Sequence, residues 1–305
     1  MKIFHDLKAI SQDFKNAVII IGNFDGVHKG HQALIQKAKD IAAQDNKTIG
    51  ILTFEPHPRQ LFQPDLSPSR LTPATLKAQK LKEHGIDFLC ALEFDWDFAS
   101  QSADTFVQNI LIEGLGAHHI VIGHDFRFGQ MRSGNAQTIR DHKLDLTVVE
   151  AIEDQSGDII SSSRIRELIK QAEIQKANAL LGWDWEIHGE IFKGDQRGRE
   201  LGYPTANLLL NDTLHPSYGV YATRVQIEGE DEWRKAATNI GIRPMFKVPT
   251  AQVEAHILDL PFSEFYGKKL RVQPVEKLRS EAKFDSLDEL IAQMDKDCAK
   301  AREIL

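Results

Sequence analysis

AVIIIGNFDGVHKGH, residues 17–31, sets the architecture of the first half of the chain. Its first five residues are all apolar, and its last ten hold three glycines and two histidines, His28 and His31. The following segment, 32–44, has apolar residues at helical spacing, and TIGILTF (48–54) is a second apolar run. A strand, a helix and a strand at this spacing predict a βαβ unit with parallel strands.

The same alternation continues through the first half. Strand-like runs cover 87–94, 118–126 and 144–151, and helical patterns lie between them at 72–85 and 102–116. Alternating strands and helices are typical of a sheet with helices on both faces. We therefore predict an α/β fold with a doubly wound parallel sheet.

The character of the sequence changes after Trp183. A helical pattern over 161–182 leads away from the parallel sheet, and short strand-like runs then recur without long helices between them. This pattern predicts a small antiparallel β-barrel or sandwich. An amphipathic helix over 286–305 is expected to pack on the barrel. The apolar face of that helix is formed by Leu287, Leu290, Ile291 and Met294.

Length and charge limit the classes of function. The 305 residues suffice for two domains, and the net charge of −7 disfavours a general binder of nucleic acid or of membrane surfaces. Two distant cysteines, Cys90 and Cys298, indicate a reducing compartment. The N-terminus lacks a signal-peptide core, and no segment approaches the ~20 apolar residues of a membrane span. We expect a soluble cytoplasmic protein with small-molecule partners.

The histidine pair falls where a buried parallel strand gives way to a helix. Ligands bind at the carboxyl ends of such strands, and the start of a helix attracts anions. Gly22 and Gly30 would let backbone N–H groups approach a ligand closely, and the imidazoles of His28 and His31 would add donors. An anion is the expected ligand, although a zinc site or a purely structural role is also open for the pair.

The signature GxFDGxHxGH resembles that of the HxGH nucleotidyltransferases, in the form found in prokaryotic FAD synthetases. TFEPHPRQLF (53–62), GHDFRFG (123–129) and ISSSRIR (160–166) also resemble segments of that family, and the likeness covers most of 16–182. The resemblance implies adenylyl transfer from ATP to the phosphate of FMN, with release of pyrophosphate.

The resemblance also implies roles for particular residues. His28 and His31 would contact the triphosphate near the reacting phosphorus, and Arg166 would hold its outer phosphates. The nucleotide and its phosphates would further be bound by Gly22, Asn23, Phe24, Gly30, Ser162 and Ser163. The flavin would be bound by Phe54, Phe62, Asp125, Phe126, Arg127 and Phe128.

KGDQRGRELGYPTANL, residues 193–208, is the chemically richest stretch of the second half. Thr205 and Asn207 are two apart, so they point to the same side of an extended chain. Their oxygens are hard ligands suited to Mg²⁺. Lys193, Arg197 and Arg199 bring positive charge to a glycine-rich loop, which suits a polyphosphate. A solvated surface turn is the other interpretation.

QVEAHILD, residues 252–259, is an alternating strand pattern with Glu254 opposite its small apolar face. A carboxylate in that position could accept the proton of a substrate hydroxyl. Composition alone would equally allow an exposed strand glutamate.

The segment GYPTAN (202–207) resembles the riboflavin kinase signature. NIGIRPMF (239–246) and FYGKKLRV (265–272) resemble later motifs of that family, and the likeness covers nearly all of 184–305. It implies a small barrel that transfers the γ-phosphate of ATP to riboflavin. Thr205 and Asn207 would bind the metal and Glu254 would be the general base. Met245 departs from the family pattern, which has a hydroxyl residue there.

The nucleotide-binding set implied for the kinase half also includes Lys193, Gly202 and Pro204. Together the two resemblances indicate the bifunctional prokaryotic riboflavin kinase/FMN adenylyltransferases, with an adenylyltransferase domain over 1–183 and a kinase domain over 184–305. Such a chain converts riboflavin to FMN and FMN to FAD, with ATP as co-substrate and Mg²⁺ as cofactor.

Three alternatives remain at this stage. One activity could have been lost, the chain could be a non-catalytic flavin or nucleotide sensor, or the first domain could adenylylate another phosphate substrate. The sequence leaves the oligomeric state open.

Overall fold

The structure, a computed structural model, describes residues 1–63, 68–194, 198, 201–243, 250–260 and 265–305. Contacts divide the chain into two compact units. The first unit comprises Met1–Leu66 and Thr72–Ser162, and the second comprises Ser67–Leu71 and Ser163–Leu305.

The first unit is built on a six-stranded sheet in the order β1-β4-β3-β2-β5-β6, and every neighbouring pair is parallel. The predicted α/β fold with a parallel sheet is therefore confirmed. The strands are β1 (Lys2–Phe4), β2 (Val18–Ile21), β3 (Ile49–Glu55), β4 (Phe88–Glu93), β5 (His119–Gly123) and β6 (Asp145–Val149).

Two apolar clusters cover the two faces of this sheet. Ile19 and Ile21 of β2 belong to one cluster, whereas Val18 and Ile20 belong to the other. Because side chains alternate across a strand, a strand covered on both faces must be apolar throughout. This explains why residues 17–21 form a continuous run rather than an alternating one.

Helices connect the strands. They are α1 (Lys29–Asp45), α2 (Pro58–Phe62), α3 (Ala74–Glu83), α4 (Trp96–Ala99), α5 (Ala103–Thr105) and α6 (Ala136–Asp141). The helix predicted over 102–116 begins as α5 and continues as a π-helical segment, Phe106–Gly114.

The prediction of one helix over 161–182 is wrong in one respect, because the segment forms two helices. These are α7 (Ser162–Lys170) and α8 (Ile174–Leu181). Ala172 between them has a φ of 62°, a left-handed conformation that cannot continue an α-helix. Gly182, with a φ of 80°, then caps α8.

The second unit contains a six-stranded antiparallel sheet in the order β7-β12-β9-β10-β11-β8. A bridge between Phe192, just after β7, and Asn207 in β8 brings the two ends together, so the sheet is a nearly closed barrel. The predicted barrel is confirmed. The strands are β7 (Ile187–Glu190), β8 (Ala206–Leu209), β9 (Gly219–Ile227), β10 (Arg234–Arg243), β11 (Thr250–Ile257) and β12 (Lys269–Arg279).

The C-terminal helix, α9 (Leu287–Ile304), packs on the barrel as expected. Leu287 at the start of the helix is 54% exposed, whereas Cys298 and Ala301, which continue the same face at helical spacing, are buried together with Asp297 in its later turns. The guanidinium of Arg279 lies 2.8 Å from the Asp297 carboxylate and orders this end of the helix. None of the helices in the described part of the chain is long and apolar enough to cross a bilayer.

Candidate functional site

His28 and His31 lie together at the carboxyl end of β2. Helix α1 begins at Lys29, so His28 is its N-cap residue and His31 is in its first turn, as predicted. The two imidazole rings are stacked with centroids 3.7 Å apart and an interplanar angle of 23°. Phe24 supports the pair from one side, with its ring centroid 4.9 Å from that of His31. The paired imidazoles and the start of a helix thus share one location.

Two glycines shape this loop around the aromatic rings. A Cβ at Gly30 would lie only 3.0 Å from Cε1 of His28, and a Cβ at Gly22 would lie 3.2 Å from the Phe24 ring. Both glycines therefore let a ring fold back over the backbone. This packing leaves His28 only 6% exposed.

The buried carboxylate of Asp25 ties the loop to its surroundings. Its Oδ1 accepts hydrogen bonds from the backbone N–H of Thr72 at 2.9 Å and from the Thr72 hydroxyl at 3.2 Å. The Thr72 hydroxyl in turn accepts from the backbone N–H of Gly26 at 2.9 Å, and the Ser162 hydroxyl donates to the Asp25 carbonyl at 2.8 Å. Ser162 is thereby held beside the histidine loop, and its predicted contact with phosphate stays a prediction. Asp25 and Thr72 had not been anticipated.

A buried ion pair lies beneath the same loop. The ammonium of Lys77 on α3, a residue 2% exposed, is 2.6 Å from the Glu55 carboxylate. It also donates to the Asn23 carbonyl at 3.2 Å and lies 3.3 Å from the hydroxyl of Thr53. The carboxyl ends of β2 and β3 are therefore joined by one charged group. Sequence reasoning missed Lys77, because a lysine in an amphipathic helix ordinarily faces solvent.

The four phenylalanines predicted to bind flavin belong to one connected cluster of aromatic rings. Phe54 and Phe128 are each 7% exposed and are joined through Phe106, whose ring centroid is 6.5 Å from that of Phe54 and 5.0 Å from that of Phe128. Phe126 stacks on Phe128 at 5.6 Å. Phe54 and Phe128 are thus part of the core, and only the outer rings of the cluster can meet a ligand.

At the other end of this aromatic cluster, two rings reach the surface. Phe62 is 55% exposed and packs edge-to-face on Trp96, itself 64% exposed, with centroids 5.6 Å apart. Phe94 connects Phe62 to Phe54. Trp96 had not been predicted as a site residue, although it comes two residues after the strand predicted over 87–94.

Asp125 and Arg127 are exposed in the turn that follows β5. The backbone N–H of Phe126 donates to the Gly123 carbonyl at 3.1 Å and closes that turn. Both charged side chains are therefore accessible, which is compatible with the charge recognition predicted for Arg127.

Arg166 and Ser163 lie on α7 in the second unit. Arg166 is 7% exposed, and its Nε donates to the Ser69 carbonyl of the same unit at 2.7 Å. Ser163 is exposed in the first turn of the helix. The phosphate contacts expected of both residues stay predictions.

The predicted base and one predicted metal ligand of the kinase half face each other. Glu254 on β11 is paired in register with Asn207 on β8, so the two side chains share one face of the barrel. Asn239 on β10 is the partner of Glu254 on its other side. The three polar residues form one row across three strands, opposite the face that carries the buried Val253 and Ala255.

The loop that carries Thr205 is fixed on the same face. Nδ1 of His256 lies 2.9 Å from the Pro204 carbonyl oxygen, and its ring packs against Tyr203 with centroids 5.3 Å apart. The Tyr203 hydroxyl donates to Asp295 at 2.6 Å, and this hydrogen bond raises the pKa of Tyr203 to about 12. Thr205 is thus held next to the row of Asn207 and Glu254, on the side of His256.

The donors near Asn207 suit a hard cation. Its Nδ2 donates to the Thr205 carbonyl at 3.1 Å, so the amide nitrogen is occupied and the amide oxygen is the atom offered to a ligand. A Cβ at Gly194 would lie 2.8 Å from Nδ2 of Asn207, and Lys193 precedes this glycine. Among the described residues there is no cluster of three or more His, Cys, Asp or Glu that could hold a metal by itself.

Of the other residues singled out in the kinase half, the structure describes Gly202 but not three others. Gly202 has a φ of 87° in the turn before Tyr203, a conformation that favours glycine. Arg197, Arg199 and Met245 lie outside the described residues.

Both halves of the chain match known protein families. A family model described as FAD synthetase matches residues 10–164, and one described as riboflavin kinase matches residues 181–305. A crystal structure named as a macrolide-efflux protein from Streptococcus pneumoniae matches with a TM-score of 0.86 and 32% identity, covering 98% of each chain.

Two curated relatives align along almost their whole length. The bifunctional riboflavin kinase/FMN adenylyltransferase of Escherichia coli (strain K12) is 36% identical, with 99% of this chain and 97% of that protein covered. The protein of the same name from Bacillus subtilis (strain 168) is 35% identical, with 98% and 96% covered. The chain therefore belongs to the family of bifunctional riboflavin kinase/FMN adenylyltransferases.

Proposed function

We propose that the chain makes FAD from riboflavin in two steps, each using one ATP. The second unit phosphorylates riboflavin to FMN, and the first unit adenylylates FMN to FAD. The observation that carries the adenylylation step is the stacked pair of His28 and His31 at the start of α1, at the carboxyl end of a parallel strand. The in-register pair of Glu254 and Asn207 supports the kinase step.

In the adenylylation step, a phosphate oxygen of FMN attacks the α-phosphorus of ATP. The bond from this phosphorus to the bridging oxygen breaks, and pyrophosphate leaves. His28 and His31 donate to the phosphate oxygens as negative charge builds up on them, and the first turn of α1 adds its unpaired N–H groups. Ser162, in the same unit, holds the departing phosphates. No covalent enzyme intermediate is required, because positioning and charge neutralisation account for catalysis.

In the kinase step, Glu254 accepts the proton of the terminal ribityl hydroxyl as the oxygen attacks the γ-phosphorus of ATP. ADP leaves with the bridging oxygen. Lys193, Gly202 and Pro204 line the phosphate-binding side of the site. A positioned general base of this kind contributes about 10²–10⁴ in rate.

The oxygen donors of Thr205 and Asn207 fit Mg²⁺, which commonly takes one or two protein ligands together with substrate phosphates. The cation would neutralise phosphate charge and orient the γ-phosphoryl group. The side chain of Asn207 is held for this purpose by its hydrogen bond to the Thr205 carbonyl.

Phe62 and Phe126 bind the flavin of FMN, with Phe54 and Phe128 as the packed support behind them. Asp125 and Arg127 contribute polar contacts beside Phe126. We assign the adenylyltransferase domain to 1–183 and the kinase domain to 184–305. The proposed compartment is the cytoplasm, because Cys90 and Cys298 are both buried free thiols.

The test is chromatography of products after incubation with riboflavin, ATP and Mg²⁺. The wild-type chain should form FMN first and FAD later. Replacement of His28 and His31 by alanine should stop the reaction at FMN. A chain that binds riboflavin without forming FMN would instead be a sensor, and undiminished FAD output from the double variant would refute the role of the histidines.

A further inference from the structure

Gln252 on β11 is a buried polar residue to which the proposed mechanism gives no role. Its side chain is 4% exposed, and its Nε2 has no hydrogen-bond partner among the described residues. A buried donor without an acceptor is destabilising, and the large majority of buried polar atoms are paired. The position of Nε2 therefore indicates which ligand group could accept a hydrogen bond from it.

Gln252 shares its face of the barrel with the proposed base. It is two residues from Glu254 on the same strand, so the two side chains point the same way, about 7 Å apart along the strand. Its register partners are Leu209 on β8 and Gly241 on β10. The donor thus lies one row beyond the row that holds Asn207 and Glu254.

On this face, the side of Glu254 that would bind ATP is opposite to the side that would bind riboflavin. His256, on one side of Glu254, contacts the Pro204 carbonyl next to the proposed metal ligand Thr205. Gln252 lies on the opposite side of Glu254. In an in-line phosphoryl transfer the attacking and leaving oxygens lie on opposite sides of the phosphorus. With phosphates near Thr205, the acceptor alcohol extends from Glu254 toward Gln252.

The surroundings of Gln252 favour a hydroxyl as the group it binds. A Cβ on its partner Gly241 would collide with the carboxylate of Glu281, so a carboxylate lies over Gly241 on the face that Gln252 shares. A hydroxyl can donate to a carboxylate and accept from an amide at once, whereas a ring carbonyl can only accept.

We propose that Gln252 is a substrate-binding residue that donates from Nε2 to an internal hydroxyl of the ribityl chain of riboflavin. This inference rests on the proposed kinase function, and it assigns the polyol recognition of that site to a residue outside the signature motif. Gln252 orients the chain so that its terminal hydroxyl meets Glu254.

The decisive variant is Gln252→Met, which keeps the side-chain length and removes the donor. We expect the KM for riboflavin to rise about tenfold, as for the loss of one hydrogen bond. The melting temperature of the ligand-free protein should stay the same or rise, because an unpaired buried donor has been replaced by an apolar group. Inhibition by lumiflavin, which has the ring but no ribityl chain, should be unchanged.

Gln273→Met is the matched control. Nε2 of Gln273 already donates to Glu186 at 3.2 Å in the same unit. This variant should lower the melting temperature and leave the KM for riboflavin unchanged.

The inference is overturned if Gln252→Met leaves the KM for riboflavin unchanged, or if it lowers the melting temperature of the ligand-free protein, since Nε2 would then have a partner within the chain. Equal weakening of the binding of riboflavin and of lumiflavin would show that Gln252 contacts the ring, and this result would also overturn the inference. Failure of the wild-type chain to phosphorylate riboflavin would instead refute the proposed function itself.

Discussion

Glu254 and Asn207 lie directly opposite each other on the antiparallel strands β11 and β8. Side chains paired in this way have Cβ atoms about 4.5–5.5 Å apart on one face of a sheet. A carboxylate that accepts a proton and an amide oxygen that offers itself to a cation can therefore act on the same phosphoryl group. The barrel fixes their separation through backbone hydrogen bonds rather than through flexible loops.

Glu254→Gln keeps this geometry and removes the base. We expect the kcat for riboflavin phosphorylation to fall by about 10²–10⁴, while the KM for riboflavin changes little. The measurement is initial rates of FMN formation at saturating ATP. Glu276→Gln on β12 is the matched control and should retain the wild-type rate. Wild-type turnover by the Glu254 variant would remove the general base from the mechanism.

Gly194→Ala tests the position of Asn207 without changing Asn207 itself. The added methyl carbon would lie 2.8 Å from Nδ2 and 3.0 Å from Cγ of Asn207, so the amide must move. The Mg²⁺ concentration that gives half-maximal kinase activity should rise several-fold, because the amide oxygen loses its placement. A Mg²⁺ titration identical to that of the wild type would contradict the assignment of Asn207 as a ligand.

The exposed pair of Phe62 and Trp96 indicates where FMN binds to the first unit. Phe62→Ala should raise the KM for FMN in adenylylation by about threefold to tenfold, since aromatic pairs contribute about 0.5–1.5 kcal/mol. Trp96 should report this binding as fluorescence quenching that is lost in Trp96→Phe. Quenching that persists in Trp96→Phe and disappears in Trp233→Phe would place FMN in the second unit instead.

Local patterns were enough to predict most of the elements. The run at 17–21 predicted a doubly covered strand, and the alternation around Glu254 predicted a half-buried one. The short edge strand Lys2–Phe4 was missed, because three residues show no periodicity. The face of α9 was predicted correctly, but its most buried residues, Cys298 and Ala301, lie in later turns than Leu287, which is exposed.

The sequence allowed the residues of the candidate site to be named, but not the contacts between them. The stacking of His28 on His31 depends on the absence of a Cβ at Gly30, which spacing alone does not reveal. The burial of Lys77 arises only when two strand ends and a helix converge. Such features follow from contacts between residues distant in sequence, and one sequence gives no direct sign of them.

Glu186, 1% exposed, anchors a polar cluster on the barrel. It receives hydrogen bonds from Nε of Arg271 at 2.7 Å and from Nε2 of His188 at 2.6 Å. Burial by itself would raise the pKa of Glu186, but the hydrogen bonds and charges of these two partners outweigh it and lower the pKa from 4.5 to about 2. The folded protein therefore keeps this carboxylate ionised at a pH where the unfolded chain has protonated it.

This difference predicts how acid affects the stability of the second unit. Because the unfolded chain binds more protons between pH 4.5 and about 2, the free energy of unfolding should decrease as the pH falls through that range. Glu186 should account for about 3 kcal/mol of the decrease. Denaturant unfolding followed by tryptophan emission at a series of pH values would measure it. Glu186→Gln should flatten the dependence, whereas Glu190→Gln, at the exposed end of β7, should not; parallel curves for the wild type and Glu186→Gln would contradict the prediction.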